Sequence, residues 1–118
     1  MTRFIRFVNE KEERELSTFD DLYHWSVEDI PAFWAALWEF CEIKYSRSFE
    51  TVVDCLDKMP GAHWFMGAEL NFAENLLHYR DDRTALIFRN EEQTTRRMSY
   101  AELYTAVARL ARSLRNIG

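Results

Sequence analysis

Glycine and proline are scarce in this 118-residue chain, with three of one and two of the other. Gly61, Gly67 and Gly118 stand too far apart for a dinucleotide fingerprint or a Walker loop, which need closely set glycines so that backbone can approach phosphate. As it stands, the chain has no standard phosphate cradle. Only two cysteines are present, Cys41 and Cys55, without the paired close spacing of a zinc site and too few for a disulfide framework; reduced thiols are expected. No run of about 18 apolar residues occurs, and Arg3 and Arg6 interrupt the N-terminus before a signal-peptide core can form. The expectation is a soluble cytoplasmic protein.

Apolar residues are abundant. They make up 47% of the chain, and 15% is aromatic, far too apolar for disorder. The net charge of −5 argues against nucleic acid as partner, because that binding neutralises phosphates with Lys and Arg. The charge is also uneven: residues 1–60 carry 7 basic and 13 acidic side chains, residues 61–118 carry 8 and 7. That asymmetry suggests two joined segments.

Phe4, Ile5 and Val8 at helical spacing predict a helix over residues 2–15 whose charged end is solvated. Thr18 is suited to cap a short helix through Asp20, Asp21 and Leu22 to Tyr23, with Ser26-Val27-Glu28-Asp29 as a capping turn and Pro31 at the first position of the next helix. There Trp34, Leu37, Trp38, Cys41 and Tyr45 form an aromatic stripe, read as core rather than as a ligand box. Residues 46–60 fit either a helix or a bent strand, closed by the turn dipeptide Pro60-Gly61. Residues 61–79 read as a tightly packed linker, with Asn71 capping a short helix over 72–78 and Asn75 inside it.

The pattern then changes to period two. Thr84–Arg89 and Thr94–Met98 predict a hairpin across a polar turn at 90–93. Ser99-Tyr100-Ala101-Glu102 is a capping box, and Leu103, Val107, Leu110, Ala111 and Leu114 mark the expected buried stripe of a helix ending at Ile117-Gly118. A strand followed by such a helix commonly feeds a parallel strand, so the sequence reads as cut.

No catalytic constellation is visible. His24, His63 and His78 form no metal-ligand cluster, and His63 beside Trp64 reads as a packing residue with one hydrogen-bonded nitrogen. Asp20/Asp21 and Asp81/Asp82 suit caps and turns better than paired acid–base work. None of the serines sits in a Gly-x-Ser-x-Gly elbow, and neither cysteine has a neighbouring base. Arg109, Arg112 and Arg115 form a solvated face whose charge complements the C-terminal end of the helix dipole. Catalytic, cofactor-binding and metal residues are therefore expected to be none.

Three stretches carry a resemblance: Tyr23-His24-Trp25-Ser26-Val27, then Phe33-Trp34, and then Met59-Pro60-Gly61-Ala62-His63-Trp64-Phe65-Met66-Gly67-Ala68-Glu69-Leu70-Asn71-Phe72-Ala73-Glu74-Asn75-Leu76-Leu77. Together they resemble the N-terminal region of acetoacetyl-CoA synthetases (acetoacetate–CoA ligases). Thr84–Phe88 and Ser99–Leu103 look like the opening hairpin and first helix of the adenylate-forming, AMP-binding domain. The resemblance implies an α+β chain, with a mainly helical cap over 1–79 and the truncated start of the adenylating domain over 80–118. It implies a ligase that uses ATP, Mg and CoA by way of an acyl-adenylate. Its phosphate loop, later acidic and aromatic motifs and catalytic lysine have no counterpart here, so no catalytic role carries over, and the isolated chain is expected to be inactive. What transfers to Trp64, Phe65, Gly67, Leu70, Asn71 and Asn75 is a structural role, joining cap to large domain. The implied partner is the remainder of the adenylating domain. Self-association is expected through the Leu103, Val107, Leu110 and Leu114 face, with no nucleic acid and no membrane. A free-standing helical interaction module, binding through the Trp/Phe helix or the Arg109/Arg112/Arg115 face, is the alternative.

Overall fold

A computed structural model describes residues 1–118 and divides the chain into two units, Met1–Asn71 and Phe72–Gly118. The first opens with α1 (Thr2–Glu12), stopped by Glu13 in the left-handed conformation at φ 50°. It continues with α2 (Phe19–Glu28) and α3 (Ile30–Phe40). Thr18 and Asp21 form the capping box of α2. The helix runs past Tyr23, so Ser26, Val27 and Glu28 are helical rather than a capping turn. Asp29 alone makes the junction: its N–H donates to the Trp25 carbonyl, while its carboxylate accepts from the Ala32 N–H and starts α3.

The expected aromatic stripe is only partly core. α3 ends at Phe40, which leaves Tyr45 in the following loop, and Cys41 and Trp34 are exposed. Ala36 is the buried residue of the helix, because α3 is apolar on more than one side and packs on both. One side meets Phe4 and Val8 of α1 and Leu22 and Trp25 of α2, joined by Phe33, Leu37 and Phe40. Phe4 lies 5.8 Å from Phe33 and 5.0 Å from Phe40 between ring centroids. The other side presents Trp34 and Trp38 to two short antiparallel strands, β1 (Thr51–Val53) and β2 (Trp64–Met66). Residues 46–60 thus contain a strand, and part of the expected linker is its partner. An isolated bridge between Arg47 and Glu69 extends the pairing.

The second unit holds α4 (Phe72–Leu76), shorter than expected, and the hairpin β3 (Thr84–Arg89) and β4 (Thr95–Ser99), with an irregularity between Thr84 and Leu86. Thr94 belongs to the turn, its N–H donating to the Asn90 side chain. The Ser99/Glu102 capping box starts α5 (Tyr100–Ile117). α5 has no buried residue: Leu103, Val107 and Ala111 are half-buried, and Leu110 and Leu114 are 60% and 59% exposed. The expected buried stripe is therefore an uncovered one, since the two-stranded hairpin offers the helix too little surface. No helix is long and apolar enough to cross a membrane.

Candidate functional site

The first unit's most organised region is the strand pair and the aromatic side chains under it. Trp38 is the hub, with its ring 4.7 Å from Phe65, 5.3 Å from Phe49 and 5.9 Å from Tyr45. Trp34 meets Trp64 edge-on at 5.8 Å. Alternation along β2 would send Trp64 and Phe65 to opposite faces, yet both reach α3. The backbone permits this because Phe65 adopts φ 50° and Gly67 follows at φ 82°. A Cβ at Gly67 would lie 3.2 Å from the Glu50 side chain. Arg47 closes the turn, donating from Nε to the Gly67 carbonyl at 2.6 Å and pairing with Glu69 at 3.3 Å. Trp34, Leu37, Trp38, Cys41, Ile43 and Phe65 line a wholly apolar hollow of about 160 Å³.

At the other end of the strand pair, Asp54 gathers the loop between β1 and β2. Its carboxylate accepts from Lys58 Nζ at 2.8 Å, from the His63 N–H at 2.9 Å and the Cys55 N–H at 2.7 Å, and meets His63 Nδ1 at 3.2 Å. The Lys58 ammonium first, then the His63 N–H, hold the Asp54 carboxyl far below its ordinary range against a smaller opposing desolvation. Sequence reasoning missed Asp54. The four-residue spacing to Lys58 was readable as a charge pair, but the reach to His63 across Pro60-Gly61 was not. His63 has one bonded nitrogen as expected, yet its side chain is 75% exposed rather than packed.

In the second unit the titratable groups serve turns and caps. Asp81 grips Arg83 through Nε and Nη2, at 2.8–3.0 Å, and also accepts from the Arg83 N–H. The Arg83 side-chain bonds lower the Asp81 carboxyl, and Asp81 in turn raises the guanidinium. The Arg83 guanidinium lies 4.3 Å from the Tyr79 ring centroid, and that of Arg80 lies 4.0 Å from Tyr104. Asp21 is lowered by the backbone N–H groups of Ser17 and Thr18. His78 Nδ1 lies 2.8 Å from the Asn75 carbonyl, and His24 sits beside Tyr23. Asn71 immediately precedes α4, and Asn75 lies within it. No group of three His, Cys, Asp or Glu side chains is set to hold a metal ion. Chemically, these arrangements tie loops down; none joins a nucleophile to a base.

Comparison with known proteins gives this framework its relatives. The family described as Acetyl-coenzyme A synthetase N-terminus matches residues 19–76. An acetoacetyl-CoA synthetase of Danio rerio is 39% identical over 119 residues, covering 98% of this chain and 18% of the relative. The acetoacetyl-coenzyme A synthetase of Rhizobium meliloti (strain 1021) is 39% identical over 118 residues, covering 100% and 18%. A malonamoyl-CoA synthetase of Penicillium aethiopicum is 46% identical over 78 residues, covering 65% and 11%. Among solved structures, the acetoacetyl-CoA synthetase from Streptomyces lividans superposes with a TM-score of 0.83 at 35% identity, over 99% of this chain and 19% of that one. The chain thus spans less than one fifth of the length of these relatives. Its helices, strand pair, hairpin and capped final helix match the N-terminal region of the Streptomyces lividans enzyme, and along its whole length the chain is similar to the N-terminal region of acetoacetyl-CoA synthetases.

Proposed function

We propose that this chain works as the N-terminal portion of an ATP-dependent acetoacetate–CoA ligase, in which the carboxylate is activated as an acyl-adenylate and then passed to CoA. The observation that carries the reading is continuous similarity, at 39% identity to acetoacetyl-CoA synthetases, through both units. Its role in that reaction is structural. The glycines present are isolated, and the carboxylates of Asp21, Asp81 and Glu102 are engaged in caps and turns. ATP, Mg and CoA would be held by the remainder of the adenylating domain, which is the partner that the hairpin and α5 would join. Trp64, Phe65 and Gly67 would shape the cap, with Leu70, Asn71 and Asn75 leading from it. The compartment fitting this reading is the cytoplasm. A free-standing interaction module is not favoured, because the similarity continues through the hairpin and α5 instead of stopping at the cap.

Exchange of these 118 residues for the corresponding stretch of the Streptomyces lividans enzyme tests the reading. The chimera is expected to keep acetoacetate-dependent ATP–pyrophosphate exchange, and the 118-residue chain alone to have none. A folded chimera without exchange, or exchange by the chain alone, would overturn it.

A further inference from the structure

The end of α3 shapes the chain that follows it. Glu42 adopts φ 51°, a left-handed position just past a helix where glycine is the usual residue. Its N–H donates to the Glu39 carbonyl and the Ile43 N–H donates to the Trp38 carbonyl, which satisfies the last turn and reverses the chain. The reversal brings Tyr45 back to 5.9 Å from Trp38, and Phe49 stands edge-on to the same indole at 5.3 Å.

These rings line an open cavity of about 430 Å³ that Lys11, Glu39 and Glu42 also line. Lys11 pairs with Glu39, so those two charges cancel. Glu42 enters none of the chain's ion pairs and is left as the cavity's net charge. An aromatic ring is negative over its face and attracts a cation held there, and a carboxylate alongside adds to the same attraction. The apolar hollow that Trp38 also lines has rings but no charged side chain. The wider field has the sign of Glu42, since Met1–Asn71 carries 7 basic and 14 acidic side chains. An anion is repelled here, and an uncharged ligand would strip water from Glu42 and give it no partner.

We propose that this cavity binds an organic cation, with a guanidinium or alkylammonium group seated against Trp38 and Tyr45 and its charge facing Glu42. A free amine and an arginine or lysine side chain of another polypeptide carry that group alike. The inference concerns the first unit alone and stands apart from the ligase reading.

Titration of the nitrogen-15-labelled chain with agmatine, and separately with the tripeptide acetyl-Gly-Arg-Gly-amide, reads the site by nuclear magnetic resonance. Saturable shifts are expected at the Trp38 indole N–H and the Glu42 and Ile43 amides in about 0.15 M salt, which screens distant charges. Tighter binding of agmatine supports a free amine as the ligand, and tighter binding of the tripeptide supports a side chain. Citrulline in place of the tripeptide's arginine keeps the shape without the charge and should abolish the shifts. Glu42→Gln and Tyr45→Ala should each weaken binding by about threefold or more. Glu13→Gln changes the other left-handed glutamate after a helix, which does not line the cavity, and should leave binding unchanged. Shifts that never saturate, an equal response to the citrulline peptide, or equal losses from Glu13→Gln and Glu42→Gln would overturn the inference, the last by showing a diffuse acidic surface. Fluorine spectra of the Streptomyces lividans chimera, with 3-fluorotyrosine at Tyr45, extend the test to the joined polypeptide. A shift with the better-binding probe is expected there, and its absence would give the cavity to the rest of the polypeptide and overturn the inference.

Discussion

Asp54 shows how one largely covered carboxylate can replace a hydrophobic core in a loop too small to own one. Three donors converge on it, the Lys58 ammonium and the His63 and Cys55 N–H groups, with His63 Nδ1 alongside, and the segment between β1 and β2 is closed by that convergence. Its carboxyl titrates far below the ordinary value of 3.8, so around that pH the unfolded chain binds more protons than the folded one. The stabilisation is fully present above the unfolded value and is lost as pH falls towards the folded one. Asp54→Asn is therefore expected to lower stability at neutral pH, and the gap from the parent chain should narrow as pH drops below about 4. Urea unfolding at a series of pH values reads this, and a gap that widened in acid would contradict it. Gly67 supplies the second test at this scale. Its φ of 82° disfavours any side chain, and a Cβ there would crowd Glu50 at 3.2 Å. Gly67→Ala should cost on the order of 1 kcal/mol in a denaturant titration, with the β1–β2 pair the first place to show it.

At the scale of elements, what the sequence revealed was local. Capping boxes are written within four consecutive residues: Ser99/Glu102 is made as the sequence predicts, and Thr18 caps α2 as expected, with the Asp21 side chain completing a box there that the sequence reading did not name. The hairpin was equally legible, since alternation and a polar turn specify it without reference to anything distant. β1 and β2 were not. Each is three residues long, too short for a period to register, and each exists because α3 supplies the aromatic surface beneath it. The same non-local contact made α3 hard to read: a helix apolar on more than one side gives no single stripe, and Ala36, small and unremarked, proved to be its buried residue. Asp54 escaped notice for the same reason, since its donors are joined by a turn rather than a repeat. The caps invite measurement. Thr18→Ala removes the acceptor for the Asp21 N–H, and thermal unfolding should register a loss of about 1 kcal/mol. A threonine-to-serine change should restore most of it.

Across the whole molecule the two units differ sharply in how much they bury. Phe4, Val8, Leu22, Trp25, Ala36 and Val52 are buried in Met1–Asn71, against Leu77 alone in Phe72–Gly118. Burial of apolar surface is the main source of local stability, so amide protection should divide along the same line. In hydrogen exchange at low protein concentration, the amides of α1–α3 should be the slower group. Those of the hairpin and α5 should exchange through openings well below the global unfolding free energy. Uniform protection across the chain would mean that burial is a poor guide to its stability.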